Sequence, residues 1–175
     1  RGSGRGVRSL AYVTWSTGIG CGLVVEGRLY SGAHGTAGEV GHMVLDPGGP
    51  LCACGQRGCL EAFSGGAGLR RRTGRGAAEL CRAAAAGEAE AGAVLADAAR
   101  HFGQAMVNLT NLFDPEVIVV GGGLTRSWAL LRPLVWAEIS GSPFVRPYRR
   151  PRLNRTRFGD RVGLVGAVEW ARANT

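Results

Sequence analysis

One histidine and three cysteines lie close together in the first half of the chain. His42 precedes Cys52 by ten residues, and Cys52, Cys54 and Cys59 fall within eight residues of a glycine-rich segment. Thiolate and imidazole groups in a set of four are ligands that tetrahedral Zn²⁺ prefers. Four protein ligands leave no position for water, so the spacing predicts a structural rather than a hydrolytic zinc site. The alternative interpretation is three buried free thiols and an unrelated surface histidine.

Two glycine-rich stretches could approach a phosphate group. Residues 16–22 read STGIGCG, and alternate glycines there bring backbone N–H groups close to an anion while a threonine adds a hydroxyl donor. Residues 117–124 read VIVVGGGL, an apolar strand that ends in three glycines, which is where ligands bind in open α/β sheets. Either stretch could instead be a structural connection. The candidate nucleotide-binding residues are Ser16, Thr17, Gly18, Gly20, Gly22, Gly121, Gly122 and Gly123.

The composition is that of a globular domain, with 175 residues, 45% of them hydrophobic and 19% charged. All 21 basic residues are arginine, and the formal net charge is +8. This charge could attract a polyanion, but the arginine groups at 70–72 and 146–161 lack interleaved aromatic residues, so we interpret them as solvated surface. No run of about 18 apolar residues is present, which predicts no membrane span. Five cysteines, an odd number, favour a reducing, cytoplasmic compartment over a disulfide framework.

The elements that must position these residues follow from periodicity and turn signals. Alternating or β-rich patterns predict strands at 9–15, 23–25, 28–30 and 38–46, with a hairpin at Glu26-Gly27. A helix is predicted to begin near Glu61, and the Ala-rich stretch 77–113 is predicted to form two helices separated by Gly87. The stretch 116–120 is continuously apolar after its first residue, Glu116, which predicts a strand buried on both faces. The remaining predictions are helices at 128–139 and 162–173 and a strand at 152–158. This order indicates one α/β unit, a mixed sheet with flanking helices.

The motifs taken together resemble those of the ROK family of repressors, open reading frames and sugar kinases. The segment GEVGHM followed by CACGQRGCLE is similar to the family's His-and-three-Cys zinc signature with its trailing Glu. STGIGCG resembles the second phosphate motif, and IVVGGGL resembles the motif on the adenosine side. The agreement extends over residues 1–175, and GAHGTAGEVGHM and NLFDPEVIVVGGG match beyond the motif positions.

The resemblance implies the actin-like ATPase (ribonuclease H-like) fold, in which a cleft separates two α/β domains. Residues 1–175 are then expected to be the second domain, with a zinc-binding loop at 42–61 and a closing helix. The family's N-terminal phosphate motif and its general-base Asp have no counterpart here. The aspartates of this chain, Asp46, Asp97, Asp114 and Asp160, lack that context. We therefore expect the catalytic base upstream of Arg1 and no kinase activity from these 175 residues alone.

The resemblance also implies ligands for particular residues. Zn²⁺ is expected on His42, Cys52, Cys54 and Cys59, and sugar hydroxyls are expected on Glu39, His42 and Glu61. Sugar hydroxyls both donate and accept hydrogen bonds, so paired carboxylates, which accept, together with an imidazole can fix one stereochemistry. Without the resemblance, Glu39 and Glu61 would be interpreted as surface carboxylates. ATP with Mg²⁺ is expected at the glycine-rich stretches. Two departures from the family pattern are Cys21, where Gly or Ala is usual, and Trp15, which is bulky enough to narrow the approach to the phosphates.

The implied function is ATP-dependent phosphorylation of a hexose, similar to the reaction of a glucokinase. The alternative is the sugar-sensing domain of a transcriptional repressor of the same family, and nucleic acid is expected as a partner only in that case. A homodimer or homotetramer is expected by analogy with the family.

Overall fold

Five strands form one mixed sheet in the computed structural model, which describes residues 2–145 and 151–173, without the side chain of residue 173. The sheet order is β3-β2-β1-β4-β5. The first three strands are antiparallel neighbours, whereas β4 and β5 run parallel to β1. The strands are β1 (Leu10–Trp15), β2 (Ile19–Val25), β3 (Arg28–Tyr30), β4 (Val117–Gly121) and β5 (Arg152–Arg155). The predicted α/β class with a mixed sheet is confirmed.

Six α-helices accompany this sheet in the described residues: α1 (Leu60–Ser64), α2 (Gly66–Thr73), α3 (Ala77–Ala85), α4 (Ala89–Phe113), α5 (Trp128–Gly141) and α6 (Val162–Ala173). The Ala-rich stretch does divide at Gly87, whose φ of +93° suits glycine and interrupts the helix. Helix α4 ends at Phe113, the last residue of the predicted stretch, and Asp114 is followed by a proline, which disfavours helical conformation in the residue before it. No described helix is long and apolar enough to cross a membrane.

The core lies between the sheet and the helices α4 and α5. Alternate residues of β1, namely Ala11, Val13 and Trp15, are fully buried there. The Trp15 ring stacks on Phe102 of α4, with centroids 4.0 Å apart and planes inclined by 7°. All five residues of β4 are buried, which confirms the strand buried on both faces. Trp15 therefore points into the core and does not obstruct the approach to the turn that follows it.

Two local predictions were wrong. Residues 38–46 do not form a strand; Val40–His42 is a short 3-10 helix, and Val44 makes only an isolated bridge with Cys59. The reason is that Gly38 and Gly41 pack directly against the backbone of β2. An added Cβ would lie 2.1 Å from the Cys21 carbonyl oxygen at the first position and 2.2 Å from the Ile19 carbonyl oxygen at the second.

The second error concerns the extent of the glycine-rich turn. Residues 19–22 belong to β2, so the turn comprises only residues 16–18, which we call the phosphate turn after its predicted ligand. Helix α2 was not predicted. The predicted arginine-rich segment is described only in part, because Arg146, Arg149 and Arg150 lie outside the described residues.

Candidate functional site

The four predicted metal ligands converge on one point. One ligand atom from each of His42, Cys52, Cys54 and Cys59 lies within 4.8 Å of all the others. The Nδ1 atom of His42 is 3.7 Å from the Cys52 Sγ, and the Sγ atoms of Cys54 and Cys59 are also 3.7 Å apart. Zinc–sulfur bonds of about 2.3 Å in a tetrahedron place two sulfur atoms about 3.8 Å apart. The donor set and its spacing therefore fit a four-coordinate metal ion.

Backbone hydrogen bonds close the base of the metal-binding loop independently of any ion. The Leu60 N–H donates to the Met43 carbonyl at 3.0 Å, and the Leu45 N–H donates to the Gly58 carbonyl at 2.8 Å. Gly58 has φ of +72°, and a Cβ there would lie 1.5 Å from the Asp46 carbonyl oxygen, so only glycine fits. The two ends of the loop are thus held side by side by main-chain contacts as well as by the ligand cluster.

The thiols of the cluster differ in their acidity. Burial, and then the neighbouring thiols of Cys54 and Cys52, raise the pKa of Cys59 to about 12. Cys54 is exposed, and a hydrogen bond from the Gln56 backbone lowers the pKa of its thiol. A metal ion binds cysteines as thiolates, so metal binding must release protons from the thiols. The positive charge of the ion would then offset the negative charge of the thiolates.

The three predicted sugar contacts come from the two ends of this loop. Glu39 is exposed and immediately precedes the 3-10 helix, in which His42 is the last residue. Glu61 lies in the first turn of α1, two residues after the last cysteine ligand, and its Oε2 accepts a hydrogen bond of 2.9 Å from the Ile19 N–H. Because Met43 pairs with Leu60 through the backbone, the structure brings the segments that carry His42 and Glu61 together. Nδ1 is the ring nitrogen of His42 that faces Cys52.

A cavity of about 750 Å³ joins the phosphate turn to the residues after β4. Ser16 and Thr17 line it on one side and Gly123 on another, and α2 and α3 supply further walls. Three arginines, Arg70, Arg82 and Arg126, also line the cavity, whereas no Asp or Glu does so among the described residues. Such a lining is suited to a ligand that carries several negative charges.

The predicted glycines play unequal parts in this cavity. Gly123 lines it, but Gly122 turns the chain with φ of +93°, and its Cβ would lie 2.5 Å from the Trp15 carbonyl oxygen. A Cβ on Gly121 would lie 2.2 Å from the Tyr12 hydroxyl, away from the cavity lining. A Cβ on either Gly20 or Gly22 would meet no atom within 4 Å. Contacts of a nucleotide with these strand glycines stay predictions.

Sequence reasoning did not assign the three arginines to a site: Arg70 belongs to the group 70–72 that was interpreted as solvated surface, and Arg82 and Arg126 were not singled out. The three arginines are distributed over α2, α3 and the 3-10 helix Gly123–Ser127, so no local pattern joins them. The only available signal was an excess of arginine, which is spread over most of the sequence. The four aspartates do not line the cavity either.

Comparison with known proteins decides the family. The model of the ROK family matches residues 1–174. The chain belongs to the ROK family. An N-acetylmannosamine kinase of Vibrio vulnificus is 42% identical over 124 residues, which make up 67% of this chain and 42% of that protein. Another, from Yersinia pseudotuberculosis, is 33% identical and is matched over 95% of this chain and 58% of its own length. The chain thus spans about half the length of the curated relatives it matches.

Solved structures of ROK proteins confirm the actin-like ATPase fold. A ROK hexokinase from Thermus thermophilus superposes with a TM-score of 0.83 and 38% identity, over 95% of this chain and 57% of that one. A ROK family glucokinase from Streptomyces griseus, in complex with glucose and AMPPNP, gives a TM-score of 0.82 and 28% identity over 98% and 62% of the two chains. A ROK family transcriptional regulator, a homologue of the E. coli MLC protein, superposes with a TM-score of 0.80 and 29% identity, over 90% of this chain and 44% of that one.

Proposed function

We propose that this chain forms the nucleotide-binding and much of the sugar-binding part of an ATP-dependent hexose kinase, similar to a glucokinase. The observation that carries the proposal is the cavity of about 750 Å³, in which the phosphate turn and Gly123 meet three arginines and no carboxylate. A nucleoside triphosphate carries several negative charges, and a positively charged cavity of this volume suits it. The relatives with kinase names and the glucokinase complex with AMPPNP support the same assignment.

The phosphates of ATP would lie between Ser16, Thr17 and the arginines, with the base and ribose toward Gly123 and α3. Since no carboxylate lines this cavity in the described chain, we expect Mg²⁺ to arrive as part of MgATP rather than on a protein ligand of this segment. In the reaction, a sugar hydroxyl oxygen forms a bond to the γ-phosphorus as the bond to the β–γ bridging oxygen breaks and ADP leaves, while the hydroxyl proton passes to the general base that is expected outside this segment. Such a transfer depends mainly on positioning and on neutralisation of charge.

The sugar would be held by Glu39, His42 and Glu61. A site built on charge-assisted bonds to hydroxyl groups discriminates strongly against a sugar that lacks one of them. We propose Zn²⁺ as the ion of the four-ligand cluster, where it would fix the orientation of the His42 ring through Nδ1 and leave the other ring nitrogen for a hydroxyl. The three thiols require a reducing compartment, in keeping with the expected cytoplasmic location.

The test is release of ADP by the full-length protein in the presence of a panel of sugars that includes glucose and N-acetylmannosamine. Turnover with a hexose and not with an acetylated amino sugar would support the glucokinase-like activity. Turnover with the amino sugar alone would move the substrate class, and no turnover with any sugar would contradict the kinase proposal. Phosphorylation by residues 1–175 alone would contradict the expectation that the base lies outside them.

The second candidate is a sugar-responsive transcriptional regulator, which the likeness to the MLC homologue favours. A regulator would bind the sugar without consuming ATP and would bind DNA through a segment outside this chain. Sugar binding without turnover, together with sugar-dependent DNA binding of the full-length protein, would decide for it. The expected homodimer or homotetramer stays a prediction, which light scattering of the full-length protein tests.

A further inference from the structure

Four hydrogen bonds attach the phosphate turn and its two flanking residues to the segment 61–67, which carries Glu61. The Trp15 indole N–H donates to the Ser64 carbonyl at 2.7 Å, just before the turn. Within the turn, the carbonyls of Ser16 and Thr17 accept from the backbone N–H groups of residues 66 and 67, at 2.8 and 2.9 Å. Just after it, the Ile19 N–H donates to the Glu61 Oε2. Three of the four bonds end on main-chain oxygens, so only the last depends on a side-chain carboxylate.

Glycines allow the carboxylate to approach this closely. A Cβ on Gly18 would lie 2.6 Å from the Glu61 Oε2, and a Cβ on Gly65 would lie 2.9 Å from the Glu61 Cγ and 3.2 Å from the Thr17 carbonyl oxygen. Neither position can carry a side chain without moving Glu61 or the turn. The contact between the carboxylate and the turn is therefore a built feature of both segments.

The Ile19 N–H needs this partner because β2 is longer than its neighbour. Strand β3 pairs only with residues 23–25, so the first half of β2 has no strand on that edge. There the Cys21 N–H donates to the Gly38 carbonyl, and the Ile19 N–H donates to Glu61. The Glu61 carboxylate thus provides the acceptor that a neighbouring strand would otherwise provide for Ile19, the residue that follows the phosphate turn.

We propose that Glu61 is a positioning residue for the phosphate turn as well as a sugar contact, so that one carboxylate couples the two substrate sites. Its Oε2 holds the Ile19 N–H, and within residues 2–145 and 151–173 its Oε1 has no hydrogen-bond partner and is available to a sugar hydroxyl. The identity of the two ligands rests on the proposed function. Coupling of this kind is reciprocal, so a sugar that fixes Glu61 raises the affinity for nucleotide, and nucleotide raises the affinity for sugar by the same factor.

The test compares Glu61→Ala, Glu61→Gln and Glu39→Ala in the full-length protein. Glu39 is the matched control, because it is also a proposed sugar contact but is exposed and makes no side-chain bond to cap its helix. Two quantities are measured without sugar: the hydrogen-exchange rate of the Ile19 amide and the dissociation constant of AMPPNP. We expect Glu61→Ala to raise both the exchange rate of the Ile19 amide and the dissociation constant of AMPPNP by about tenfold, which is the scale of one charge-assisted hydrogen bond. Glu61→Gln retains an amide oxygen that can accept from Ile19, so both quantities should stay close to wild type, as they should in Glu39→Ala.

Two results with Glu61→Ala would overturn the proposal. In the first, the Ile19 amide exchanges at the wild-type rate; in the second, the amide exchanges faster but the affinity for AMPPNP stays at the wild-type value. Glu61→Gln as damaging as Glu61→Ala would also overturn it, because the effect would then come from charge rather than from the acceptor. If Glu61→Ala does not fold, Gly18→Ala displaces the carboxylate instead, and the Ile19 exchange rate alone is then the readout, because Gly18 is itself a candidate phosphate contact. A wild-type protein that binds no AMPPNP would refute the proposed function and with it the coupling, whereas the Ile19 exchange rate would still decide whether Glu61 holds the turn.

Discussion

The loop at residues 42–61 brings the four predicted metal ligands to one point, whereas the proposed nucleotide cavity is shaped by the phosphate turn, small residues and chain reversals. In the loop, the ligand atoms of His42 and the three cysteines lie within 4.8 Å of one another. In the cavity, the turn is held by main-chain hydrogen bonds, and Gly122 packs on the carbonyl group of Trp15. The four-ligand cluster of the loop depends on atoms that its side chains provide, whereas the close approach of Gly122 to Trp15 beside the cavity depends on the Cβ that glycine lacks.

This difference predicts opposite sensitivities. Removing side-chain atoms should damage the loop, because each ligand fills one of four coordination positions. Adding atoms should damage the cavity, because its walls approach within contact distance of backbone oxygens. The three predictions below test this contrast, from the largest expected effect to the smallest.

The largest effect is expected from Cys54→Ala. Cys54 is exposed, so its replacement removes little packing and isolates the contribution of the metal. A structural zinc site contributes about 10 kcal/mol or more to folding, and we expect the variant to lose the ion and much of that stabilisation. Metal content and thermal unfolding with and without a chelator measure the loss. Sugar affinity should fall in parallel, because His42 would no longer be fixed by the ion.

Cys21→Ala is the control for this prediction. Burial raises the pKa of Cys21 to about 12, so it remains a neutral thiol, and it lies on β2 outside the ligand cluster. This variant should retain the metal. Backbone hydrogen bonds also close the base of the loop and are the alternative source of its order. Loss of the metal with unchanged sugar affinity would show that those bonds suffice, and would refute the coupling of metal to sugar.

An intermediate effect is expected from Gly122→Ala on the nucleotide side. The residue has φ of +93°, and the new Cβ would lie 2.5 Å from the Trp15 carbonyl oxygen. Strain and overpacking together should cost about 2–4 kcal/mol, measured by urea unfolding. Gly123→Ala is the matched control, since its Cβ would lie at an ordinary 3.5 Å from the Ser16 hydroxyl oxygen. That variant should keep its stability and bind AMPPNP more weakly, because the methyl group enters the cavity lining. Equal stability of the two variants would contradict the steric account of the cavity.

The same contrast explains how far the sequence alone could be interpreted. The ligand cluster was predictable because its information is local: residue types and spacing identify the four donors, and the structure brings all of them together. The helices around Gly87 and the buried strand β4 were predictable for the same reason, since helical and strand periodicity are local patterns.

The misses concern contacts between distant segments. The segment GEVG was predicted to be a strand from its residue types, but its glycines serve to approach the backbone of β2, which no pattern within the segment indicates. The Trp15 side chain was expected near the phosphates, yet it stacks on Phe102, 87 positions later in the chain. The three cavity arginines likewise come from separate elements. Side chains that provide metal ligands can be recognised in the sequence from their type and spacing. A close approach of two main-chain segments is indicated only by glycines, which occur for many other reasons.

The smallest effect is expected from Asp97→Asn, between the two regions. Asp97 lies on α4 and pairs with Arg72 at 2.7 Å and with Arg100 at 2.8 Å, while Arg72 also donates to the Phe63 carbonyl two residues after Glu61. Burial tends to raise the pKa of Asp97, but the hydrogen bonds from the two arginines outweigh it and hold that pKa below 3.8. A depressed pKa stabilises the fold at pH values above the unfolded-state pKa, and this contribution is lost as the pH falls through the folded-state pKa.

At pH 7 the Asp97→Asn variant should therefore be less stable by about 1 kcal/mol or less, since the ion pair is partly exposed. The difference from wild type, measured by urea unfolding, should shrink as the pH falls below about 3.8. Asp160→Asn removes a pair with Arg126 whose side chains are 73% and 71% exposed, and it should change the stability far less at any pH. An Asp97→Asn deficit that persisted at acidic pH would mean that the amide disturbs packing between α4 and the segment after Glu61, and that this junction depends on shape rather than on charge.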